Sequence, residues 1–486
     1  MQTGISEITS NNRYILRTGI KIVLLLLLGS VMVHWINTPL SRFLFYGLVT
    51  SYILRSRDYI AGIALVFVFI TNPLNLFYSE PFSWFFMITS TVGIDFRLVF
   101  VLALLMKLLI IKPSKLFLQR DIFKSTYRVL FVYLGFLFFW SFVFGHSPRS
   151  LFFIVNSIPS FFLFLALPRI FSKEQLSLFN GIIFFVNIVH ISVSMVDVIL
   201  AGRISGFLLF GAFNPSAIFE GDEVIRLTGG MTLVFYSLIA SIYYIITRTV
   251  RFRPMYLWVI VFISALFIIN SATRGWMIAT GILFLLTLAY YYRQIVSGRI
   301  FLTLIFTMGV GYLLLPDNIR SNMASSFVRL STVESVLEGD MTAGGTASRW
   351  DLRGPKVLTR FNESPVFGFG LSKVSADYYD GHVGNHNLLL VGGYTGLIIV
   401  WGTVFWIILF FYRFDKRNGR FKGVFIFGIA LIAIMIIHST SRTMVSFYMP
   451  VDTAFLIALF FNQVNCCEAE LGPSLPEVLA SSALQN

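Results

Sequence analysis

The residues best suited to chemistry lie at the end of a polar stretch, in the segment GHVGNHNLLLVGGYTG (381–396). The chain contains six histidines. Two of them, His382 and His386, lie in this segment, and Asn387 directly follows the second. A neutral imidazole accepts a hydroxyl proton near neutral pH, which makes His386 a candidate general base. The simpler interpretation is a histidine that only hydrogen-bonds the end of a helix.

The two histidines also raise the question of a metal site, because Asp380 stands beside them. Zinc needs ligands that are held on a firm scaffold. Gly384, between the histidines, disfavours a helix there, and no glutamate occupies the position that a zinc-protease motif requires. The sequence therefore predicts no metal and gives His382 at most a supporting role.

Arginines recur at the ends of the apolar runs and in the polar stretches near this segment. A planar guanidinium group suits phosphates and carboxylates, and it keeps its charge in a partly dry site. An arginine at a helix end can equally extend toward lipid headgroups, so each one alone has two interpretations. The candidate substrate ligands are Arg226, Arg274, Arg349, Arg353, Arg360 and Arg442.

The composition determines the class of protein that must position these residues. The chain has 486 residues, of which 57% are hydrophobic and 12% charged, and its mean hydropathy is +0.80. A soluble domain carries about twice as many charged residues. Apolar runs of about 20 residues recur along the chain, which predicts an all-α polytopic membrane protein with about 12–14 transmembrane helices. The first run lacks a cleavage site, so we expect a retained helix rather than a signal peptide.

These runs divide the chain into helical and polar regions. The predicted helices are 18–35, 42–54, 58–77, 96–111, 129–145, 150–168, 177–200, 229–247, 255–271, 275–291, 300–315, 386–411, 423–438 and 443–461. The predicted regions are an N-terminal bundle (1–200), helices with a first outer loop (201–315), a large outer loop containing short helices (316–385), C-terminal helices (386–461) and a disordered tail (462–486). Cys466 and Cys467 are adjacent in that tail and cannot close a loop with each other.

The distribution of basic residues predicts which side each loop faces. The net charge is +14, and most of the basic residues in short loops fall on one side of the predicted membrane. This bias places both termini in the cytoplasm and the two long polar segments, 201–228 and 316–385, outside. Much of the charge is then explained by topology, so a nucleic-acid partner is not expected.

Four stretches, in order, resemble motifs of the bacterial O-antigen ligase and O-antigen polymerase superfamily. They are IRLTGG (225–230), TRGWMIATG (273–281), SRWDLRGPKVLTRFNESPVFGFGLS (348–372) and NHNLLLVGGYTGL (385–397). The resemblance covers about residues 220 to 445. Two positions depart from the family pattern: Met231–Thr232 follow the first motif in place of a Pro-Asn pair, and Tyr394 stands near the place of an acidic residue.

The resemblance implies an inverting glycosyltransferase of the bacterial inner membrane, with its active site on the periplasmic side and with no metal or cofactor. The donor would be a glycan on undecaprenyl diphosphate. Arg226, Arg274 and Arg349 or Arg353 would bind the diphosphate, and His386 would activate the acceptor hydroxyl. Arg360 and Arg442 would be further phosphate ligands. Asn387 would bind sugar or orient His386, with helix capping as the alternative.

Within that family, a polymerase extends a lipid-linked glycan, whereas a ligase transfers it to lipid A-core. The sequence favours the polymerase only through its long outer loop, which could hold a growing glycan. Other polysaccharide assembly proteins would be possible partners. A transporter or flippase of lipid-linked oligosaccharide is the rival class, and it would require ionisable residues deep in the membrane. Lys107 and Asp197 are the only such candidates, and no internal repeat is evident.

Overall fold

The computed structural model of the chain describes the greater part of its residues. The described ranges are 2–73, 84–87, 93–111, 123–200, 203–208, 229–248, 252–271, 273–295, 315–337, 347–416, 423–440 and 442–469. Nearly all of these residues are helical. One antiparallel hairpin joins β1 (Trp84–Met87) to β2 (Gly93–Asp95).

The helices follow the apolar runs of the sequence. In chain order they are α1 (Gln2–Ser30), α2 (Pro39–Arg55), α3 (Tyr59–Thr71), α4 (Phe96–Ile111), α5 (Lys124–Trp140), α6 (Pro148–Ala166), α7 (Lys173–Ile199), α8 (Arg203–Leu208), α9 (Met231–Thr247), α10 (Pro254–Asn270), α11 (Arg274–Ile295), α12 (Asp317–Leu337), α13 (Ala347–Phe361), α14 (Lys373–Tyr378), α15 (Gly384–Lys416), α16 (Phe425–Thr440) and α17 (Val451–Ala469). A π-helical turn (Val31–Trp35) extends α1, and a 3-10 turn (Ser141–Phe144) extends α5.

Every predicted helix except 300–315 overlaps one of these helices, and all of that segment except Leu315 lies outside the described residues. Among the residues described, five segments are long and apolar enough to cross a membrane. They are Ser10–Trp35, Pro148–Ala166, Lys173–Ile199, Arg274–Ile295 and Gly384–Lys416. Six further apolar helices are shorter. The predicted helical class is therefore confirmed, and the short hairpin is an addition to it.

Helices α3, α9 and α17 form the centre of the bundle. Nearly all residues of α3 and α9 are buried, as is α17 through Asn465. A helix that is apolar on every side is stable only when other helices surround it. Aromatic side chains join the three: the ring of Phe67 lies 5.4 Å from Tyr236 and 5.1 Å from Phe455, between centroids.

The outer helices expose large apolar side chains instead. Val132 on α5 and Ile398 and Phe405 on α15 are each more than two-thirds exposed. Such side chains would be costly in water but not against lipid tails, so this distribution is what helices that could cross a membrane would show.

The last helix differs from its prediction at both ends. It begins at Val451 rather than at 443, and it continues to Ala469, past the predicted start of the tail at 462. Asn462 and Asn465 are buried, and each donates its side-chain N–H across 2.8 Å to a main-chain carbonyl at the end of α6, Leu167 and Pro168 respectively. The tail boundary at 462 is thus too early, because these buried amides bind the last residues of α17 to the carbonyls of the two residues that follow α6. Residues 470–486 lie outside the described part.

Helix α15 is interrupted at Gly393, which has φ +64° and ψ −165°. A Cβ there would lie 2.3 Å from the carbonyl oxygen of Val366. A positive φ and a backbone this close are tolerated by glycine alone.

The segment Pro365–Gly370 fills the interruption in α15. The main-chain N–H groups of Phe369 and Gly370 donate to the carbonyls of Leu390 (2.9 Å) and Val391 (2.8 Å). In return, the N–H of Tyr394 donates to the carbonyl of Pro365 (2.9 Å). Broken helices occur in membrane proteins only where such partners replace the lost hydrogen bonds. This pairing fixes the chain that follows α13 against α15.

Candidate functional site

The two histidines of the opening segment are separated by the start of a helix. Because α15 begins at Gly384, His386 lies in its first turn and is half-buried, whereas His382 precedes the helix and is exposed. The main-chain N–H of His382 donates to Asp380 Oδ1 across 2.9 Å. The pair therefore does not share one helix face, and His386 is the histidine fixed on the scaffold.

Helix α13 brings its arginine-bearing stretch to His386. A Cβ at Gly354 would lie 3.6 Å from Cε1 and 3.7 Å from Nε2 of the His386 ring. Such a Cβ would be in ordinary van der Waals contact with the ring, so the backbone of α13 lies directly beside the imidazole. Arg353, the residue before it, is exposed, and its Nη1 lies 3.4 Å from Oδ1 of Asp380. The long polar segment and the start of α15 form one site.

Asn387 holds this site together from within. It is buried, its Oδ1 accepts the main-chain N–H of Asp380 across 3.1 Å, and its Nδ2 donates to the carbonyl of Asp380. The same Nδ2 donates to Thr443 Oγ1 at 3.1 Å. Its amide is thus fully used by the protein. These contacts assign it to positioning Asp380, and its predicted contact with substrate stays a prediction.

The turn that follows α16 is held by His438, a buried residue. Nδ1 of His438 accepts the main-chain N–H groups of Met444 (3.1 Å) and Val445 (3.2 Å). The N–H of Thr443 donates to the carbonyl of Gly381 across 2.8 Å. Because two donors aim at Nδ1, this nitrogen carries no proton. The sequence does not reveal this function of His438, because no motif marks it.

Arg442 projects from that turn next to an acid of the central helix. Its Nη2 lies 3.3 Å from Oδ1 of Asp452, which is buried in the first turn of α17. Thr232 of α9 donates its hydroxyl to the other carboxylate oxygen of Asp452 across 2.8 Å. Arg442 is therefore anchored to two helices of the bundle centre.

The structure describes the other predicted arginines to different extents. Arg360 lies two turns after Arg353 on α13, pairs with Glu363 at 2.6 Å and stacks over Tyr378 at 5.0 Å. Tyr378 and then Glu363 raise the pKa of its guanidinium group. Arg274 is half-buried at the start of α11. Arg349 lies on α13 with its side chain outside the description, and Arg226 lies outside the described residues.

An aromatic cluster borders the turn that carries Arg442. The ring of Tyr448 lies 5.3 Å from Phe153 and 5.6 Å from Tyr379, between centroids. Burial raises the pKa values of Tyr379 and Tyr448, which keeps both hydroxyls protonated. The guanidinium of Arg149 lies over Phe153 at 5.8 Å. Nothing in the sequence marks this cluster, because its members come from three separate segments.

Within the described residues, no three His, Cys, Asp or Glu side chains are grouped so as to hold a metal ion. The chain matches no model of a known protein family, and no characterised protein matches it either. The class of the molecule therefore rests on its own features: a helical fold whose longest helices are apolar enough to cross a membrane.

Proposed function

We propose that the chain is a membrane glycosyltransferase that moves an undecaprenyl-diphosphate-linked glycan onto an acceptor sugar at the periplasmic face, as a surface-polysaccharide polymerase. The observation that carries the proposal is the packing of α13 on His386, with Gly354 against the imidazole and Arg353 beside it. A candidate base and a candidate phosphate ligand thus share one half-exposed site.

The proposed reaction needs only groups of this site. The acceptor hydroxyl oxygen attacks the anomeric carbon while an imidazole nitrogen of His386 takes its proton. The bond from that carbon to the diphosphate oxygen breaks, and its electron pair leaves with the diphosphate. The departing group gains negative charge, so fixed guanidinium groups such as those of Arg353 and Arg442 stabilise the transition state more than the ground state.

An apolar groove supports a lipid-linked donor. The groove has a volume of about 340 Å³ and runs between α5 and α15, where Thr126, Val129, Gly402 and Trp406 are among its lining residues. A second, partly open apolar cavity that shares Thr126 and Thr403 continues it toward α16 and α17. An isoprenoid chain needs such a surface on the same helix that carries the polar site, and α15 provides both.

The location follows from the same proposal. The proposal places the chain in the bacterial inner membrane with both termini in the cytoplasm, and it divides the chain into regions at residues 200, 315 and 385. These assignments depend on the charge bias of the loops and on the order of the motifs. The segment 316–385 would then lie in the periplasm, where helices α13 and α14 pack against α15. This arrangement would keep His386 on the side where the acceptor glycan is found.

A ligase that transfers the glycan to lipid A-core is the alternative within the class, since both reactions use the same groups. Transport of lipid-linked oligosaccharide is the alternative outside it, and one observation favours it. Lys107 on α4 is buried against Gly62, with its Nζ 3.2 Å from the place of a Cβ. Ionisable groups inside a membrane bundle are often part of a transport pathway. Asp197, the other ionisable candidate, lies at the end of α7 and has a partner: its Oδ1 accepts the main-chain N–H of Ile204.

Purified protein in lipid nanodiscs, supplied with undecaprenyl-diphosphate oligosaccharide, tests the proposal. Longer lipid-linked chains are expected if the chain is a polymerase. Glycan that moves only to added lipid A-core would identify a ligase. The transferase function would be excluded if neither acceptor received glycan and if cells that carry a His386→Ala variant made normal glycan. Transport would then remain as the function, and the flux of the same substrate into vesicles would measure it.

A further inference from the structure

Three aromatic side chains from separate segments meet beside the candidate site. Phe153 of α6, Tyr379 after α14 and Tyr448 before α17 contact one another, with ring centroids 5.3 to 5.8 Å apart. Phe153 and Tyr379 are half-buried, so part of this surface is open, whereas Tyr448 is only 5% exposed. We call these three residues the aromatic platform.

Two polar groups at the aromatic platform have no protein partner that satisfies them. Arg149 is exposed, its guanidinium lies 5.8 Å from the ring centroid of Phe153, and it pairs with no acid in the described part of the chain. The hydroxyl of Tyr448 is buried and has no hydrogen-bond partner among the described residues. A buried hydroxyl without a partner is costly, so a polar group from outside the protein is expected to bond it.

The aromatic platform is attached to the segment that carries the candidate base. Tyr379 directly precedes Asp380, and the side chain of Asn387 bonds both main-chain groups of Asp380. The start of α14 is fixed as well, because the main-chain N–H of Lys373 donates to the carbonyl of Gly145, in the turn before α6, across 2.9 Å. The position of the aromatic platform relative to the base is therefore set by hydrogen bonds.

These groups fit a sugar ring. A sugar has C–H bonds on its faces, which pack against aromatic rings, and hydroxyls around its edge, which need hydrogen-bond partners. Phe153 and Tyr379 can take the face, while Arg149 and the hydroxyl of Tyr448 can bond the edge. A lipid headgroup would explain an arginine at a helix end but not the three rings or the buried hydroxyl, so the contacts favour a sugar.

We propose that the aromatic platform and Arg149 form a sugar-binding site beside His386. Arg149 supplies a positive charge and several N–H donors, so a sugar that carries a carboxylate fits this site best. The assignment of this sugar as the acceptor of glycan transfer rests on the proposed function. The sugar site itself does not, because it follows from the contacts of these four residues.

Binding of methyl β-D-glucuronide to the full-length protein tests the site, measured by saturation-transfer NMR in phosphatidylcholine nanodiscs. Tyr379→Leu is expected to weaken binding about tenfold because it removes the flat ring, whereas Tyr379→Phe keeps the ring and most of the affinity. Tyr448→Phe removes only the hydroxyl, and a loss of about fivefold is expected. Arg149→Gln should bind the glucuronide no better than its neutral analogue, methyl β-D-glucoside.

The opposite end of the molecule offers matched controls. There the Nζ of exposed Lys416 lies 4.3 Å from the ring centroid of half-buried Tyr412. Tyr412→Leu and Lys416→Gln are therefore expected to bind the glucuronide as the parent protein does.

The inference would be overturned if the parent protein bound neither sugar, or if folded Arg149→Gln, Tyr379→Leu and Tyr448→Phe all kept the parent's affinity. Release of phosphatidylglycerol by Arg149→Gln in native mass spectrometry, with sugar affinity unchanged, would also overturn it and would assign this arginine to a lipid headgroup.

The sugar site and the proposed function can fail separately. Sugar binding that depends on Tyr379 and Arg149, without glycan transfer by the parent protein, would refute only the proposed function. Where transfer occurs, Tyr448→Phe is expected to raise the KM for the acceptor with kcat little changed, because its hydroxyl binds the sugar and not the reacting atoms.

Discussion

At the scale of the residue, His386 and Asn387 are adjacent in the sequence but differ in burial. His386 is half-exposed beside Gly354, while Asn387 is buried and fully hydrogen-bonded. Successive residues of a helix point about 100° apart, so packing on one side of α15 buries one of them and leaves the other at the surface. The exposed imidazole is available to a ligand, and the buried amide sets the position of the residues around it.

His386→Ala is expected to lower glycan transfer by about a hundredfold to ten-thousandfold, which is the contribution of a general base. His382→Ala is the matched control, because this exposed histidine precedes the helix and its main chain makes the bond to Asp380. Initial rates with the lipid-linked donor measure both variants. Equal rates for the parent and a folded His386→Ala protein would remove the proposed base.

Asn387→Ala is expected to destabilise the protein by about 1–3 kcal/mol, because it leaves buried polar groups of Asp380 and Thr443 without their partner. Thermal unfolding in detergent measures the change. Asn385→Ala removes a less buried amide that bonds Ser439 at 3.1 Å and Trp401 at 3.2 Å, and a smaller loss is expected. An Asn387→Ala protein that unfolds at the temperature of the parent would contradict the assignment of Asn387 as the internal support.

At the scale of the element, the interruption in α15 joins the polar segment to the bundle. Pro365–Gly370 supplies main-chain partners to the broken helix, while Trp140 Nε1 donates to the carbonyl of Gly368 at 3.0 Å and Tyr133 donates its hydroxyl to the carbonyl of Gly392 at 2.8 Å. Helix α13 is thereby held at two places, at this interruption and at His386. A rigid attachment of this kind is what a preorganised site requires.

Gly393→Ala is expected to lower stability by about 1–3 kcal/mol or more, because alanine is strained at a positive φ and would also meet the carbonyl of Val366. The same variant should reduce transfer, since it displaces the segment that anchors α13. Gly47→Ala is the matched control, a helical glycine of α2 outside the proposed site: a Cβ there meets nothing within 4 Å. Thermal unfolding and transfer rates are the measurements, and similar values for the two variants would contradict the importance of the interruption.

At the scale of the whole molecule, the two halves of the chain are joined through the central helices. Phe67 of α3 contacts both α9 and α17, and buried amides of α17 complete the end of α6. Asp452 of α17 also holds Arg442 of the site. The N-terminal helices therefore support the candidate site although its candidate residues lie in the second half of the chain.

Removal of residues 462–486 is expected to destabilise the protein strongly, because it deletes the last two turns of α17 and the two buried amide bonds to α6. Removal of residues 470–486 alone is expected to leave the unfolding temperature close to that of the parent. Thermal unfolding and detergent gel filtration measure both. Similar stability of the two truncated proteins would show that the end of α17 contributes little.

What the sequence determined by itself was the helical class and the position of most helices, because an apolar run of membrane length has few alternatives to a helix. The order of the motifs predicted a candidate site in the second half of the chain, and its function stays a prediction. The end of α17 was misjudged because Asn462 and Asn465 look like solvent-exposed residues when their partners are unknown.

Only the tertiary structure determined which of the candidate residues lie close to one another. Arg353 and Asp380 come together across two segments, and Arg442 meets Asp452 because the turn after α16 lies against the start of α17. The direction in which each ion pair points depends on which partner the surrounding helices bury. A sequence records the residue types and their spacing, but burial is a property of the packed bundle, and burial separates an exposed guanidinium from its hidden acid.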